Sequence, residues 1–290
     1  MHRPNHDYPP AIRRVTWRDH WSTFLAMVRK ELIVITRYPV SFVASFGQVF
    51  LIVTVVTLGG LMFSSQAGSS GSGPSLEAGV SVYGFMLFMF VSDTLWTIGY
   101  NVRHEQVQGT LEQLYLSPAS KFATLVSRVA NLLVWTGLLT VAGGALMASM
   151  IGRLPFFNPG LGAYLLVMTL MGTFGIGFAF AALTLRLRET AQTLANLLQF
   201  GVMILCANFF PFAVLPPVLR KLSYFIPLSY AVDAFRSTMM NYPAGYPELA
   251  PIGVEIWIVT FFGLVMPLLG YWMYRRAEDH ARRSGSLSEI

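Results

Sequence analysis

Between two long apolar runs, residues 103–121 read RHEQVQGTLEQLYLSPASK. Gly109 interrupts the helical pattern of this polar bridge, because glycine in a helix interior costs roughly 1 kcal/mol against alanine. Thr110 suits the N-cap of a new helix, and Pro118 ends that helix because proline disfavours helical geometry at the preceding residue. Three apolar side chains recur at helical spacing and share one face: Leu111, Leu114 and Tyr115. The pattern predicts about two turns of amphipathic helix, with an ordinary capped loop as the alternative.

The composition around this bridge indicates a membrane protein with several spans. Of the 290 residues, 54% are hydrophobic and 12% are charged, whereas a soluble domain carries about 25% charged residues. The net charge of +6 could indicate nucleic-acid binding. However, the cations are spread along the edges of the apolar runs and do not cluster with aromatic residues, as a nucleic-acid groove requires. We therefore expect no nucleic-acid partner.

The sequence carries no recognisable catalytic or metal-binding constellation. Its five histidines lie outside the apolar runs, and its single cysteine, Cys206, cannot form an intramolecular disulfide. It contains no phosphate-binding loop of the form GxxxxGK[S/T]. We therefore expect this chain to have no enzyme activity, to bind no metal or cofactor and to hydrolyse no ATP itself.

The apolar runs predict an all-α polytopic membrane protein with a single transmembrane domain over residues 17–276. A helix of about 20 apolar residues crosses a hydrocarbon core of about 30 Å. Six runs reach that length: about 41–63, 79–102, 122–151, 161–185, 190–210 and 253–274. Residues 17–37 place Trp and aliphatic residues at helical spacing among Arg and Lys, which is typical of an amphipathic helix in the membrane interface. Residues 1–16 and 277–290 are predicted to be cytoplasmic tails.

The segment 211–240 differs from the spans because it combines several prolines with charged residues. A continuous spanning helix accommodates neither at low cost, so we expect short broken helices that re-enter the membrane from one side. Most of the 20 Lys and Arg residues lie at the N-terminal segment, the bridge, the Arg186 turn and the C-terminal tail. Positive residues mark the cytoplasmic side. Both termini and the bridge are therefore predicted to be cytoplasmic, with the re-entrant segment on the outward side.

A few charged residues are notable because they lie within or beside the apolar runs. Asp93 is the one acid well inside a predicted span, so it is either a transport residue or a hydrogen-bonding partner for a neighbouring helix. Asp233 and Arg236 lie at i and i+3, where they can pair with each other. Glu255 is expected to reach the interface near the outer end of its span. Residues 242–251 are expected to form an exposed loop.

In this order of elements the chain resembles the membrane subunits of type-2 ABC exporters, a permease family that includes bacterial drug, lipid and polysaccharide exporters. Two stretches carry the resemblance: GTLEQLYLSP at 109–118, between the second and third spans, and IPLSYAVDAFR at 226–236, before the last span. The resemblance implies a coupling helix at about 105–118 that docks on a separate ATP-binding subunit. It also implies that residues 211–240 form an outward-side re-entrant hairpin that closes the exit.

The roles of individual residues follow from this resemblance. It implies that the ATPase-coupling residues are Glu105, Gly109, Thr110, Leu111, Glu112, Leu114, Tyr115, Ser117 and Pro118. Together with the charged residues noted above, it gives as candidate translocation or gating residues Asp93, Pro227, Tyr230, Asp233 and Arg236.

The resemblance also implies partners and a location. Two copies of an ABC-type ATPase subunit would bind ATP and Mg²⁺. A second permease copy or a paralogue would complete a dimer in the inner (plasma) membrane, in contact with lipid. The expected function is ATP-driven export of an amphipathic, drug-like or lipid-like molecule from the cytoplasm or the inner leaflet. A polysaccharide cargo, or an ion-coupled secondary transporter that uses Asp93, is the alternative. The sequence leaves open both the cargo and the choice between homodimer and heterodimer.

Overall fold

The computed structural model describes residues 74–107, 134–143, 145, 156–187 and 191–284, together with isolated helical positions between Leu25 and Thr54. The described residues form helices, turns and loops, without a β-strand. This agrees with the predicted all-α class. The predicted interfacial helix at 17–37 and the first span at 41–63 lie largely outside the described residues, and the tail 1–16 lies wholly outside them. Residues 277–284 of the predicted C-terminal tail are helical.

Six α-helices are described in chain order. They are α1 (Pro74–Val107), α2 (Pro159–Leu187), α3 (Ala191–Leu205), α4 (Pro217–Ser223), α5 (Pro227–Met239) and α6 (Ile252–Ser284). A 3₁₀ turn, Phe212–Val214, lies between α3 and α4. A shorter apolar helical segment, Val134–Gly143, falls within the predicted third span.

The described helices overlap the predicted spans, but their ends differ from the predicted span ends. Among the described residues, two stretches of helix are long and apolar enough to cross a membrane, Pro159–Phe180 in α2 and Ile252–Ala277 in α6. Helix α1 runs past the predicted end of its span into the polar bridge, because the bridge has no helix breaker before Gly109. Helix α3 ends at Leu205, five residues before the predicted end of its span at 210.

Helices α2 and α6 pack with their backbones close together. A Cβ atom added at Gly270 in α6 would lie 2.0 Å from the carbonyl oxygen of Gly175 in α2. A Cβ added at Gly172 would lie 2.2 Å from the ring of Phe262. Small residues permit such close approach of membrane helices, where dispersion contacts replace the missing hydrophobic driving force. The glycines of α2 therefore form a packing face against the last helix.

Helix α5 lies at the centre of the described fold, where it packs against α1, α2 and α6. The shared core contains Tyr83 and Leu87 from α1, Leu165 from α2 and Phe235 from α5. The rings of Tyr83 and Phe235 meet edge to face, with their centroids 6.2 Å apart, an arrangement that aromatic pairs favour. The short helix before the last span is thus enclosed by the longer helices.

Replacing Gly270 by alanine is expected to destabilise the protein, because the added Cβ would overlap the backbone of α2. Overpacking of this kind typically costs about 1–3 kcal/mol, so the thermal unfolding midpoint of the detergent-solubilised protein should fall. The matched control is Gly253→Ala in the same helix, where an added Cβ meets nothing within 4 Å. Equal midpoints for the two variants would contradict the close packing of α2 against α6.

Candidate functional site

Two prolines begin the short helices α4 and α5. Pro217 and Pro227 occupy the first turns of these helices, where proline loses no intrahelical hydrogen bond and its fixed φ is already helical. The preceding residues, Pro216 and Ile226, have ψ angles of 144° and 111° and are therefore non-helical. The expectation of short broken helices in 211–240 is confirmed. Their re-entry into the membrane stays a prediction.

The Arg236 guanidinium, at the C-terminal end of α5, is completely buried. Its Nε donates to Asp233 Oδ1 at 3.4 Å, and its Nη2 donates to Glu248 Oε1 at 3.2 Å. Its Nη1 donates to the carbonyl oxygens of Ala207 and Phe210, at 3.3 and 3.2 Å. Each guanidinium nitrogen thus has an acceptor, as a buried cation requires. We call Asp233, Arg236 and Glu248 the Arg236 cluster.

Two aromatic rings enclose the same guanidinium. Its central carbon lies 4.8 Å from the ring centroid of Phe212 and 5.6 Å from that of Tyr246. A cation over an aromatic face within about 6 Å is attracted by the ring quadrupole, and more strongly where water is excluded. Arg236 therefore contacts the 3₁₀ turn through the ring of Phe212, and it contacts the loop before α6 through the ring of Tyr246 and the hydrogen bond to Glu248.

The two carboxylates of the Arg236 cluster bind backbone N–H groups of distant segments. Asp233 Oδ2 accepts hydrogen bonds from the N–H groups of Glu248 and Leu249, at 2.7 and 2.8 Å. Glu248 accepts from the N–H groups of Phe212 and Ala213, at 3.1 and 2.9 Å. Burial raises the pKa of Glu248 above its ordinary value, although the Arg236 cation opposes that rise. The cluster thus connects α5, the 3₁₀ turn and the loop 240–251.

The turn that follows α3 is held in place by α1. A Cβ added at Gly84 would lie 1.8 Å from the carbonyl oxygen of Asn208, so only glycine permits this approach. Ser81 Oγ donates to the carbonyl oxygen of Phe209 at 2.8 Å. These contacts position residues 207–210, which supply two of the acceptors for Arg236.

Glu255 does not reach the interface, and that expectation was wrong. Its side chain is completely buried, and Val259 and Phe262, one and two turns later, are buried as well. Residues at i, i+4 and i+7 share one helix face, and this face of α6 packs towards α5. Glu255 Oε1 accepts a hydrogen bond from the N–H of Ala250 at 3.2 Å. The spacing to Val259 and Phe262 is the sequence signal that could have indicated burial.

The expectation of an exposed loop over 242–251 was also wrong at Glu248, whose side chain is only 8% exposed. Residues 247–251 fold back over α5 because Asp233 binds the N–H groups of Glu248 and Leu249. No local pattern marks Glu248 for this contact. The i, i+3 pairing predicted for Asp233 and Arg236 is confirmed.

The other candidate gating residues lie outside the Arg236 cluster. Asp93 Oδ2 accepts a hydrogen bond from Thr136 in the helical segment Val134–Gly143. This contact suits the structural interpretation of Asp93, while a role in transport stays a prediction. The Tyr230 hydroxyl donates to the carbonyl oxygen of Tyr224 at 3.0 Å. Among the described residues, no group of three or more His, Cys, Asp or Glu side chains is arranged to hold a metal ion.

Of the predicted coupling residues, only Glu105 falls in a described helix, in the last turn of α1. The remaining coupling residues lie outside the described part of the chain: Gly109, Thr110, Leu111, Glu112, Leu114, Tyr115, Ser117 and Pro118. Their contacts with an ATPase stay predictions.

A comparison with protein families identifies one match. The family described as ABC-2 family transporter protein matches residues 64–272, which is well over half of the chain and includes the bridge, the Arg236 cluster and most of α6. A comparison with curated proteins gave no match.

Replacing Arg236 by methionine is expected to lower the free energy of unfolding by about 3–5 kcal/mol, because it leaves two buried carboxylates without their cation. The measurement is chemical or thermal unfolding of the purified protein in detergent. Lys221→Met is the matched control, since it removes a cation from the exposed surface of neighbouring α4. Comparable losses in the two variants would show that the Arg236 cluster does not stabilise the fold.

Proposed function

The chain belongs to the ABC-2 transporter family and is the membrane permease component of an ABC transporter, and we propose that it exports its cargo. The proposed cargo is an amphipathic, drug-like or lipid-like molecule taken from the cytoplasm or the inner leaflet. ATP hydrolysis would take place on two copies of a separate ATPase subunit. A second permease copy or a paralogue would complete the transport path in the inner membrane.

One observation carries the proposed coupling: α1 is continuous from its apolar part into the beginning of the bridge. Its 34 residues end at Val107, two residues before Gly109. A displacement of the proposed coupling helix, at about 105–118, would therefore be transmitted directly to α1, because α1 extends into the same segment. Near its middle, Ser92 accepts a hydrogen bond from Gln199 of α3, and Asp93 accepts one from Thr136. A movement of α1 would thus be passed to both neighbours.

The Arg236 cluster supports the proposed role of residues 211–240 at the exit. Because Arg236, Asp233 and Glu248 connect α5 to the 3₁₀ turn and to the loop before α6, these elements would move as one unit. Core contacts of Tyr83 in α1 with Phe235 in α5 then link this unit to the helix that carries the bridge. ATPase closure could in this way reach the outward side without a large rearrangement of the core.

The exposed helix faces are compatible with an apolar or amphipathic cargo. Large apolar side chains are exposed on α3 and α6, among them Leu197, Phe200, Trp257, Phe261 and Leu268. Such faces contact lipid or an apolar cargo.

Disrupting the apolar face of the bridge is expected to abolish association with the ATPase. In the double variant Leu114→Asp/Tyr115→Asp, two carboxylates would face an apolar cleft, and an unpaired charge at such an interface costs several kcal/mol. The measurement is co-purification of an ATP-binding protein with the permease from mild detergent. The matched control, Tyr242→Asp/Ala244→Asp, places the same charges on the exposed loop before α6, and it should retain the ATPase. If no ATPase accompanies the unaltered chain, the proposed function is wrong.

Replacing Asp93 by asparagine is expected to leave ATP-driven transport within about twofold of the unaltered protein, because an amide can still accept the hydrogen bond from Thr136. The measurement is ATP-dependent uptake of an amphipathic dye into inverted membrane vesicles that contain the permease and its ATPase. Uptake that requires a proton gradient, and that is lost in Asp93→Asn, would favour the ion-coupled alternative.

A further inference from the structure

Three carboxyl groups surround one buried cation where α5, the loop 240–251 and α6 meet. Asp233, Arg236 and Glu255 are completely buried, and Glu248 is nearly so. The ionisable groups near Glu255 are Asp233, Arg236 and Tyr230, all on α5. Glu248 and Tyr246, in the loop, contact Arg236 instead. If every carboxyl group were ionised, this buried site would hold three negative charges and one positive charge. Such an excess of unpaired charge is strongly disfavoured away from water.

The hydrogen bonds show which carboxyl group lacks donors. Both oxygens of Asp233 and both oxygens of Glu248 accept hydrogen bonds from N–H groups. Glu255 Oε1 accepts one from Ala250, but Glu255 Oε2 has no hydrogen-bond partner among the described donors, although it is buried. Glu255 is therefore the carboxyl group whose negative charge the fold satisfies least.

Asp233 and Glu255 accept hydrogen bonds from the consecutive backbone N–H groups of Leu249 and Ala250, at 2.8 and 3.2 Å, so their carboxyl groups lie side by side. An ionised carboxylate only accepts hydrogen bonds, so two carboxylates cannot bond to each other. A carboxylic acid can donate its O–H to a carboxylate. One proton between the two groups would thus satisfy the otherwise unpartnered oxygen and remove one of the excess charges.

We propose that Glu255 binds a proton and donates it in a hydrogen bond to Asp233, which connects the start of α6 to the Arg236 cluster. Glu255 is then a positioning residue. It holds the last span against α5, while the Arg236 cluster holds the 3₁₀ turn and the loop against the same helix. The consequence for transport rests on the proposed function, whereas the proton itself does not. The connection exists only while Glu255 remains a neutral acid.

This proton makes the stability of the fold depend on pH in a defined direction. In the unfolded chain Glu255 is exposed to water and loses its proton near its ordinary pKa of about 4.3. Between that pH and the pH at which the folded protein releases the proton, the folded state binds more protons than the unfolded state. Stability therefore falls as the pH rises through this range. A glutamine at position 255 can donate from its amide without carrying a charge, and so it removes this dependence.

The test is the thermal unfolding midpoint of the full chain in detergent, measured from about pH 5 to about pH 9. We expect the midpoint of the unaltered protein to fall with rising pH, and that of Glu255→Gln to fall much less. Glu255→Met, which is also uncharged, should likewise lose the slope, and it serves if Glu255→Gln does not fold. A slope as steep as that of the unaltered protein in a folded variant would overturn the proposal.

Infrared spectroscopy gives a second, direct measurement. At neutral pH the unaltered protein should show the carbonyl band of a protonated carboxylic acid that is missing in Glu255→Gln. Identical spectra in this region would overturn the proposal. Neither measurement needs the ATPase or a cargo. Failure to find an ATPase partner would therefore disprove the proposed function but not the proton site. A missing acid band would disprove the proton site but not the proposed function.

Discussion

The described fold depends on how protein acceptors satisfy one buried guanidinium. Arg236 is completely buried, and its acceptors come from α5, from the turn after α3 and from the loop before α6. A buried cation with any of these acceptors missing would cost several kcal/mol. The requirement therefore fixes three segments at once. Pro217 and Pro227 contribute to the same arrangement, because they begin α4 and α5, the two short helices that follow the turn after α3.

This constraint suits a transporter, which must change conformation without losing the packing between its helices. Close glycine contacts pack α2 against α6, and an aromatic contact packs α1 against α5. Together these contacts form a closely packed core. The polar cluster joins the 3₁₀ turn and the loop before α6 to that core through directional bonds, which hold one geometry more strictly than apolar contacts do.

The sequence predicted what depends on local pattern and missed what depends on distant partners. The positions of α2 and α6 follow from long apolar runs, and the pairing of Asp233 with Arg236 follows from their i, i+3 spacing. Glu248 was assigned to an exposed loop because its partners are 12 and 36 residues away in sequence. Glu255 was assigned to the interface because its burial depends on the direction in which α6 faces α5. The ends of α1 and α3 differ from the predicted span ends, since polar residues alone do not end a helix and apolar residues alone do not extend one.

The most direct test of this account is a double-mutant cycle between Arg236 and Glu248. The free energy of unfolding would be measured for Arg236→Met, for Glu248→Gln and for the double variant. If the two side chains stabilise the fold as one buried pair, the double variant should be more stable than the sum of the single changes predicts, by about 1–3 kcal/mol. Additivity to within about 0.5 kcal/mol would contradict the account, because it would mean that Arg236 and Glu248 act independently.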